Sequence, residues 1–376
     1  MNSPALDIIV NNYNYARFLP DAIDSALGQT YPRVTVIVVD DGSTDESRDV
    51  VESYGTRVTP VLKDHGGQPS ALNAGFEKSR GDAVIFLDAD DVLVSDIAER
   101  VAEAFASDKE LVKVQYRMER VDEAGRRTGI VEPLAHLPMP QGDVRQEELT
   151  FPFDLTWMAM SGNAFASAAL RRIFPIPAPD EDYRLAADWY LRHLTPLLGP
   201  VVSLSHVGLL RRVHGANLYE PSASSLDLEQ IRKSIICAAH TERQLRRLAK
   251  ELGLRDSDQP ILSVSDLTNR LISIRLDAAH HPVPGDTPRK LVTAGVRAAS
   301  RRADVRVPVR VAFGLWFLVA AAAPRSILRP LAEVFSFPER RSKINRFLGA
   351  LHRQTSRPSA RLGCGGSCRD PSCSRR

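Results

Sequence analysis

From residue 6 to residue 91 the chain alternates short apolar runs with longer amphipathic ones, and few folds accommodate that rhythm. Leu6–Val10, Val34–Val39, Val58–Leu62 and Ala83–Leu87 are rich in β-branched residues and almost free of polar ones. They predict strands covered on both faces. Between them, Ala16–Leu27, Thr44–Tyr54 and Pro69–Ser79 have the length and pattern of helices. Ser43 and Thr44, followed by acidic Asp45 and Glu46, suit the start of the second helix. Strands joined through helices of this length form right-handed βαβ units, so an α/β fold with a mostly parallel sheet is expected.

The pattern then mixes. Ser95–Ala106 reads as a helix, Leu111–Met118 as a strand, Glu123–Gly129 as a turn before a further strand, and 133–153 as a long loop. Glu181–Leu194 predicts a helix and Val207–Val213 a strand. Beyond residue 220 the amphipathic runs Leu226–Leu252, Ser263–Ala279 and Pro288–Ser300 predict a helical region. Residues 1–220, 221–355 and 356–376 are therefore expected to form an α/β domain, a helical region and a disordered basic tail.

Composition bounds the class. With 43% hydrophobic and 25% charged residues, the 376-residue chain is neither a mainly disordered polymer nor a multi-span membrane protein. Four cysteines cannot build a disulfide scaffold, and no secretory signal precedes the first strand, so a cytoplasmic compartment is expected. The net charge of +3 hides a division. From Arg289 onward there are 19 Lys and Arg against four acidic residues, a balance of +15, which leaves −12 on the first 288 residues.

In parallel α/β sheets ligands bind beyond the carboxyl ends of the strands. Two acidic clusters fall there: Asp40-Asp41-Gly42-Ser43 after the second strand and Asp88-Ala89-Asp90-Asp91 after the fourth. Five carboxylates on one edge call for a cation or hydrogen-bond donors. A hard divalent ion, Mg²⁺ or Mn²⁺, suits oxygen ligands of this kind, although Asp also serves caps and turns. The first strand runs into Asn11-Asn12-Tyr13-Asn14 and not into a glycine-rich phosphate loop. An aromatic ring among amides suits a base. The His65-Gly66-Gly67-Gln68 turn allows close backbone approach or is simply a tight connection.

These segments, together with Asn73-Ala74-Gly75, resemble the ordered motifs of family 2 glycosyltransferases, closely over residues 5–105 and loosely to about 220. The resemblance implies a GT-A-type nucleotide-sugar-binding domain and an inverting transfer from a nucleotide-diphosphate-sugar donor to the hydroxyl of a glycan or lipid-linked acceptor. Cell-surface polysaccharide or glycolipid assembly is the expected setting. Carried over, it implies that Asn12, Tyr13, Asn14, Asp40, Asp41, Gln68 and Asn73 line the donor site, with Tyr13 and Asn14 at the base and Asp41 or Asp40 at the base or ribose. Asp88, Ala89 and Asp90 would be the DxD motif, Asp90 the direct metal ligand and Asp88 nearer the ribose. Two positions depart from the pattern: Asn11 stands where proline is usual, and Leu72 where arginine often precedes Asn-x-Gly.

Inversion also needs a base to take the acceptor's proton. Asp188, in Asp188-Trp189-Tyr190-Leu191, fits the family's acidic residue at a helix start, while Glu181 and Asp182 suit capping or the acceptor side. Arg212 and His214, on one face of a strand end, suit phosphate charge or the metal's surroundings, with a solvated strand end as the plainer alternative. Ser161-Gly162-Asn163 reads as an acceptor-side loop or an ordinary small-residue turn. Two alternatives to a transferase remain at this point: a sugar-phosphate nucleotidylyltransferase, which would normally carry a basic glycine-rich loop, and a non-catalytic nucleotide-sugar- or glycan-binding subunit.

At the basic end, Val311–Ala323 is an uninterrupted apolar run of 13 residues, too short to span a bilayer. Its aromatic residues and nearby arginines suit a helix at an anionic inner-membrane face or one packed on the catalytic domain. Cys364, Cys368 and Cys373 lack a fourth ligand for a zinc knuckle, and no nucleic-acid-binding motif appears.

Overall fold

The computed structural model describes residues 3–135, 137–177, 187–215, 217, 226–254 and 260–336. The expectations at Glu181 and Asp182 and at the cysteine-bearing tail lie outside these residues.

The predicted alternation is realised as β1 (Leu6–Asn12), α1 (Leu19–Leu27), β2 (Val34–Asp41), α2 (Ser47–Ser53), β3 (Thr59–Lys63), α3 (Gln68–Lys78) and β4 (Ala83–Asp88). These strands are parallel in the order β3-β2-β1-β4. Leaving β1, the chain winds to β2 and β3 on one side and later to β4 on the other, which opens a crevice at the carboxyl end of β1. Register brings the acidic ends together there: Asn12 pairs with Asp40, and Asn11 with Asp88. Ser43 does not cap α2; its hydroxyl accepts from Asn12 and Asn14, and the Asp45 carboxylate takes the Ser47 N–H at 3.1 Å.

The sheet continues through β5 (Val92–Leu93), α4 (Ile97–Ser107), β6 (Lys113–Val121), β7 (Arg127–Glu132), α5 (Arg145–Thr150), β8 (Asn163–Ala166), α6 (Ser167–Ile173), α7 (Ala187–Leu194) and β9 (Val201–Arg212). Beyond β4 the order is β8-β6-β9-β5, with β7 on β6. Here β8 is antiparallel to both neighbours, while β6 and β9 are parallel, so the sheet is mixed. Residues 133–153 are not all loop, since α5 forms within them, and β9 begins six residues before the strand expected at Val207.

Alternate side chains of each central strand serve opposite faces. Ile8, Val10, Val36, Val38, Ile85 and Leu87 meet α1 and α4 on one side. Ile9, Ile37, Val39, Val84 and Phe86 meet α3 and α7 on the other, where Gly75 of α3 lies so near Ile9 that a Cβ would stand 2.6 Å from it. The first long C-terminal helix, α8 (Leu228–Glu251), adds Cys237, Leu245 and Leu248 to this second core. The helices α9 (Val264–Leu276), α10 (Pro288–Arg301), α11 (Val307–Ala322) and α12 (Arg325–Ser336) build a separate core around Leu271, Leu291, Ala298, Phe317 and Leu328. Among the described residues no helix is long and apolar enough to cross a membrane.

Candidate active site

The floor of the crevice is made by the ends of β1 and β2. Asn12 is buried and donates through Nδ2 to Asp40 Oδ1 at 3.0 Å. Asp40, fully buried, also accepts from the Ser43 N–H and from Arg48 Nε, each at 3.1 Å. Asp41 faces the next loop, accepting from Lys63 Nζ at 2.6 Å, from the Gly67 N–H at 2.8 Å and from the Gly66 N–H at 3.1 Å. The chain can turn tightly enough for this because Gly42 has φ +77°, and a Cβ there would lie 2.4 Å from the His65 nitrogen. Asn14 also adopts a left-handed φ of 60° and receives the Thr44 N–H on Oδ1 at 2.7 Å. Above this floor Tyr13, 40% exposed, stacks on His65 with centroids 4.1 Å apart, and His65 Nδ1 lies 3.0 Å from Asp41 Oδ2.

The end of β4 carries the second acidic group. Asp88 takes Gln68 Nε2 at 3.3 Å and the Ser161 hydroxyl at 3.3 Å, while the Asp88 N–H donates to Ser161 Oγ at 3.1 Å. Ala89 is buried and donates its N–H to the Asn11 carbonyl. Asp90 Oδ2 accepts from Asn217 Nδ2 at 3.1 Å and lies 3.0 Å from His214 Nε2. The His214 ring is held between Phe18 and Tyr15, at 4.9 and 5.6 Å. Burial, followed by the charges of Asp90 and Asp188, lifts the Asp88 carboxyl to about 7. Asp91 is likewise pushed well above the usual range by burial, then by Asp90 and Asp88. Burial and the same three aspartates raise the Tyr15 hydroxyl to about 12.

Not every expected donor-site residue opens into this crevice. Arg212 is only 3% exposed and is turned inward: Nε donates to the Asp90 carbonyl at 3.1 Å, Nη1 to the Glu123 carbonyl at 2.9 Å and Nη2 to Asp21 Oδ2 at 2.6 Å. It braces the backbone of the acidic turn. Asn73 uses both ends of its amide on the backbone of Ile176, at 3.0 and 2.8 Å. Asn163 is buried and donates to the carbonyls of residues 158–160, so of Ser161-Gly162-Asn163 it is Ser161 that reaches the acidic cluster.

Asp188 sits in the first turn of α7. Its Oδ2 is 3.4 Å from Arg192 Nη1, and its buried Oδ1 accepts no hydrogen bond among the described residues. Burial raises its carboxyl, and Arg192 and then Lys113 oppose that rise. Behind it lies a buried polar group absent from the sequence reading. Lys113 is fully buried, donates to the Arg192 carbonyl at 3.2 Å and lies 3.9 Å from the Trp157 ring centre. Glu148 accepts from Trp157 Nε1 at 2.9 Å and lies 2.7 Å from His193 Nδ1. No motif announces this group: β6 carries Gln115, Arg117, Glu119 and Arg120 as well, so nothing in the sequence singles out Lys113. His65, Lys63, Ser161 and Asn217 were also missed as partners of the aspartates.

A divalent cation fits the residues of the β4 edge. Among the described residues no three His, Cys, Asp or Glu side chains form a protein-only metal cage. Asp90 and Asp88, with His214 beside them, match instead the one or two carboxylates that Mg²⁺ or Mn²⁺ takes when substrate phosphates complete its coordination.

The family model described as glycosyl transferase family 2 matches residues 7–165. An uncharacterized glycosyltransferase of Nostoc sp. is 34% identical over 233 residues, covering 61% of this chain and 70% of that one. The chain belongs to glycosyl transferase family 2. A second relative of this family 2 glycosyltransferase, an uncharacterized glycosyltransferase of Rickettsia prowazekii, is 44% identical over 90 residues, which are 24% of the chain and 28% of the relative. Among solved structures, residues 1–349 of S. aureus TarS align with a TM-score of 0.51 at 16% identity, over 88% of this chain and 91% of that one. That likeness concerns the fold, and the mixed sheet with its helical C-terminal region is of the GT-A type.

Proposed function

We propose that this family 2 glycosyltransferase inverts the anomeric centre of a nucleotide-diphosphate-sugar, using Asp188 as general base. The acceptor hydroxyl would attack the anomeric carbon and form the new C–O bond. The bond from that carbon to the diphosphate breaks, and its electron pair leaves with the nucleoside diphosphate. Asp188 receives the hydroxyl proton. The observation that carries this reading is the place of Asp188 in the first turn of α7, within electrostatic range of the acidic turn. Its charge, from a separate helix, raises the Asp88 carboxyl, while one of its own carboxylate oxygens accepts no hydrogen bond among the described residues.

Tyr13, exposed and stacked on His65, offers a face for the base, with Asn14 beside it. Asp41, beneath the pair, is fixed by Lys63 and the Gly66-Gly67 amides and so orders the wall of that pocket. Ser161 and Gln68 hold Asp88 toward the donor. Asp90, with Asp88 and His214, would hold Mg²⁺ or Mn²⁺, which supplies neutralisation of the charge that develops on the departing diphosphate. The acceptor reading is a glycan or lipid-linked hydroxyl on the Asp188 side.

The test is a panel of nucleotide-sugars, first for binding with Mn²⁺ and with a chelator, then for nucleotide release with soluble and lipid-linked acceptors. One donor is expected to bind at least tenfold more tightly with metal and to release nucleotide only when acceptor is present. Donor affinity indifferent to metal would remove the cation from the reading. Tight binding without release on any acceptor would instead favour a non-catalytic subunit.

A further inference from the structure

Far along the chain from the acidic turn, α11 is apolar on both sides, and only one side is closed. Phe317 and Ala320 are fully buried in the core of α9–α12, and Trp316 donates to Thr268 Oγ1 at 3.2 Å while stacking on Phe335 at 4.3 Å. The outer side consists of Val307, Val311, Leu315, Leu318 and Val319, each between 48 and 65% exposed. Val307, Val311, Leu315 and Val319 follow one i, i+4, i+8 line, and Leu318 adjoins it three residues after Leu315. The remaining exposed positions of α11 are Pro308, Ala312 and Ala322, so no polar side chain interrupts the face. At 1.5 Å per residue it runs for about 22 Å. Monomeric soluble proteins seldom leave a continuous apolar strip of this kind uncovered.

Charge indicates what covers it. Residues 289–336 hold nine Lys and Arg against Asp304 and Glu333, a balance of +7. Arg289, Lys290, Arg297 and Arg301 are exposed on α10, the neighbour of α11, and Arg306 and Arg325 flank the ends of α11. A second copy of the chain would bring the same positive charge against this rim. The segment 337–376 is also basic, with ten Lys and Arg against two acidic residues, and complements it no better. An anionic lipid surface meets both features at once: acyl chains receive the apolar face and headgroups receive the rim. We propose that α11 lies flat in the interface of an anionic membrane, inserted through Val307, Val311, Leu315, Leu318 and Val319. The inference rests on exposure and charge and stands apart from the transfer reaction.

The full chain is tested by flotation with phosphatidylcholine vesicles, with and without phosphatidylglycerol, at low and high salt. It is expected to bind the phosphatidylglycerol vesicles and to be released by salt. Leu315→Glu with Leu318→Glu removes insertion at exposed positions where the fold does not need leucine. It should cut vesicle binding by at least about tenfold, since charge placed in the acyl boundary opposes partition. Circular dichroism should be unchanged. Arg297→Glu with Arg301→Glu should weaken binding and flatten its salt dependence. Absence of vesicle binding at low salt overturns the proposal, as does equal binding by the chain with and without the leucine substitutions. Sedimentation showing a dimer that the leucine pair dissociates would assign the face to a second copy instead.

Discussion

Replacing Asp188 by asparagine keeps the size of the side chain and removes only its charge and its capacity to take a proton. Two structural effects bound the cost to stability. The ion pair with Arg192 is an i,i+4 contact at 3.4 Å between side chains 17 and 18% exposed, so it contributes somewhat more than the roughly 0.3–0.5 kcal/mol of fully exposed pairs of this spacing. Burial raises the Asp188 carboxyl, so exchanging the charge for a neutral amide relieves part of a desolvation cost. The melting temperature should therefore move by no more than about 2–4 °C, the shift for 1 kcal/mol in a domain of 150–250 residues. Donor binding should not weaken. The Asp188 charge is one of the causes that lift Asp88 to about 7, and without it Asp88 is more fully ionised at neutral pH. Loss of a positioned general base, by contrast, costs about 10²- to 10⁴-fold in rate, or roughly 3–5 kcal/mol of barrier. The expected pattern is thus a collapsed kcat, a donor Kd equal to or tighter than that of the parent, and an intact fold. Nucleotide-release kinetics, donor calorimetry and thermal unfolding measure the three together. A kcat within tenfold of the parent would refute the assignment, and parallel loss of kcat and donor affinity would make Asp188 a donor contact.

Three further perturbations probe the surroundings. Arg192→Met withdraws the largest influence that holds the Asp188 carboxyl down; because the base works when deprotonated, the acid limb of kcat/KM should move to higher pH, and a limb that stays in place would separate Arg192 from the base. Burial depresses the Lys113 ammonium from 10.5 to about 7, so between those values the unfolded chain binds a proton that the folded chain lacks, and this contribution to stability rises with pH. The gap corresponds to on the order of 5 kcal/mol, so any advantage of Lys113→Met in urea unfolding should shrink from pH 7 to pH 10; a constant difference would contradict a buried, titrating lysine. Gly295→Val would place a Cβ 2.4 Å from the Phe317 ring and force α10 off α11. Overpacking of this kind costs about 1–3 kcal/mol, which a lowered melting temperature with unchanged donor affinity would register.

The backbone of the site was legible in the sequence because it depends on local pattern. Apolar runs fixed β1 to β4, and parallel topology then obliged Asn12, Asp40 and Asp88 to emerge at one edge. What a side chain does after emerging depends on partners distant in sequence, and there the reading failed. Arg212 appeared to alternate toward the ligand with His214. The strand ends at Arg212, however, and the guanidinium is claimed by Asp21 and Glu123, 191 and 89 residues away. Ser161 looked like part of a loop, yet it bonds to Asp88 across 73 residues. The cluster of Lys113, Glu148 and His193 gave no signal for the same reason, since three ordinary residues from β6, α5 and α7 become a group only when the sheet and helices close over them.

The acidic edge shows what this difference means for the chemistry. Five carboxylates at adjoining strand ends are equivalent when counted in the sequence, and they suggest a cation without saying where it would be needed. In the folded chain they divide. Asp40 is matched by Arg48 and Asp41 by Lys63, so the end of β2 supplies its own countercharge and acts as scaffold for the Tyr13–His65 wall. Asp88 has amide and hydroxyl partners, Asp90 an amide and an imidazole, and Asp91 a backbone N–H. Among the described residues none of the three forms an ion pair with a lysine or arginine. Beyond burial, Asp90 and then Asp188 raise Asp88, and Asp90 and then Asp88 raise Asp91. The uncompensated charge is therefore concentrated at the end of β4, within electrostatic reach of Asp188. A cation brought by the donor diphosphate would relieve repulsion only there, which is why Asp90→Ala should weaken metal-dependent donor binding far more than Asp40→Asn, whose cost should fall on stability.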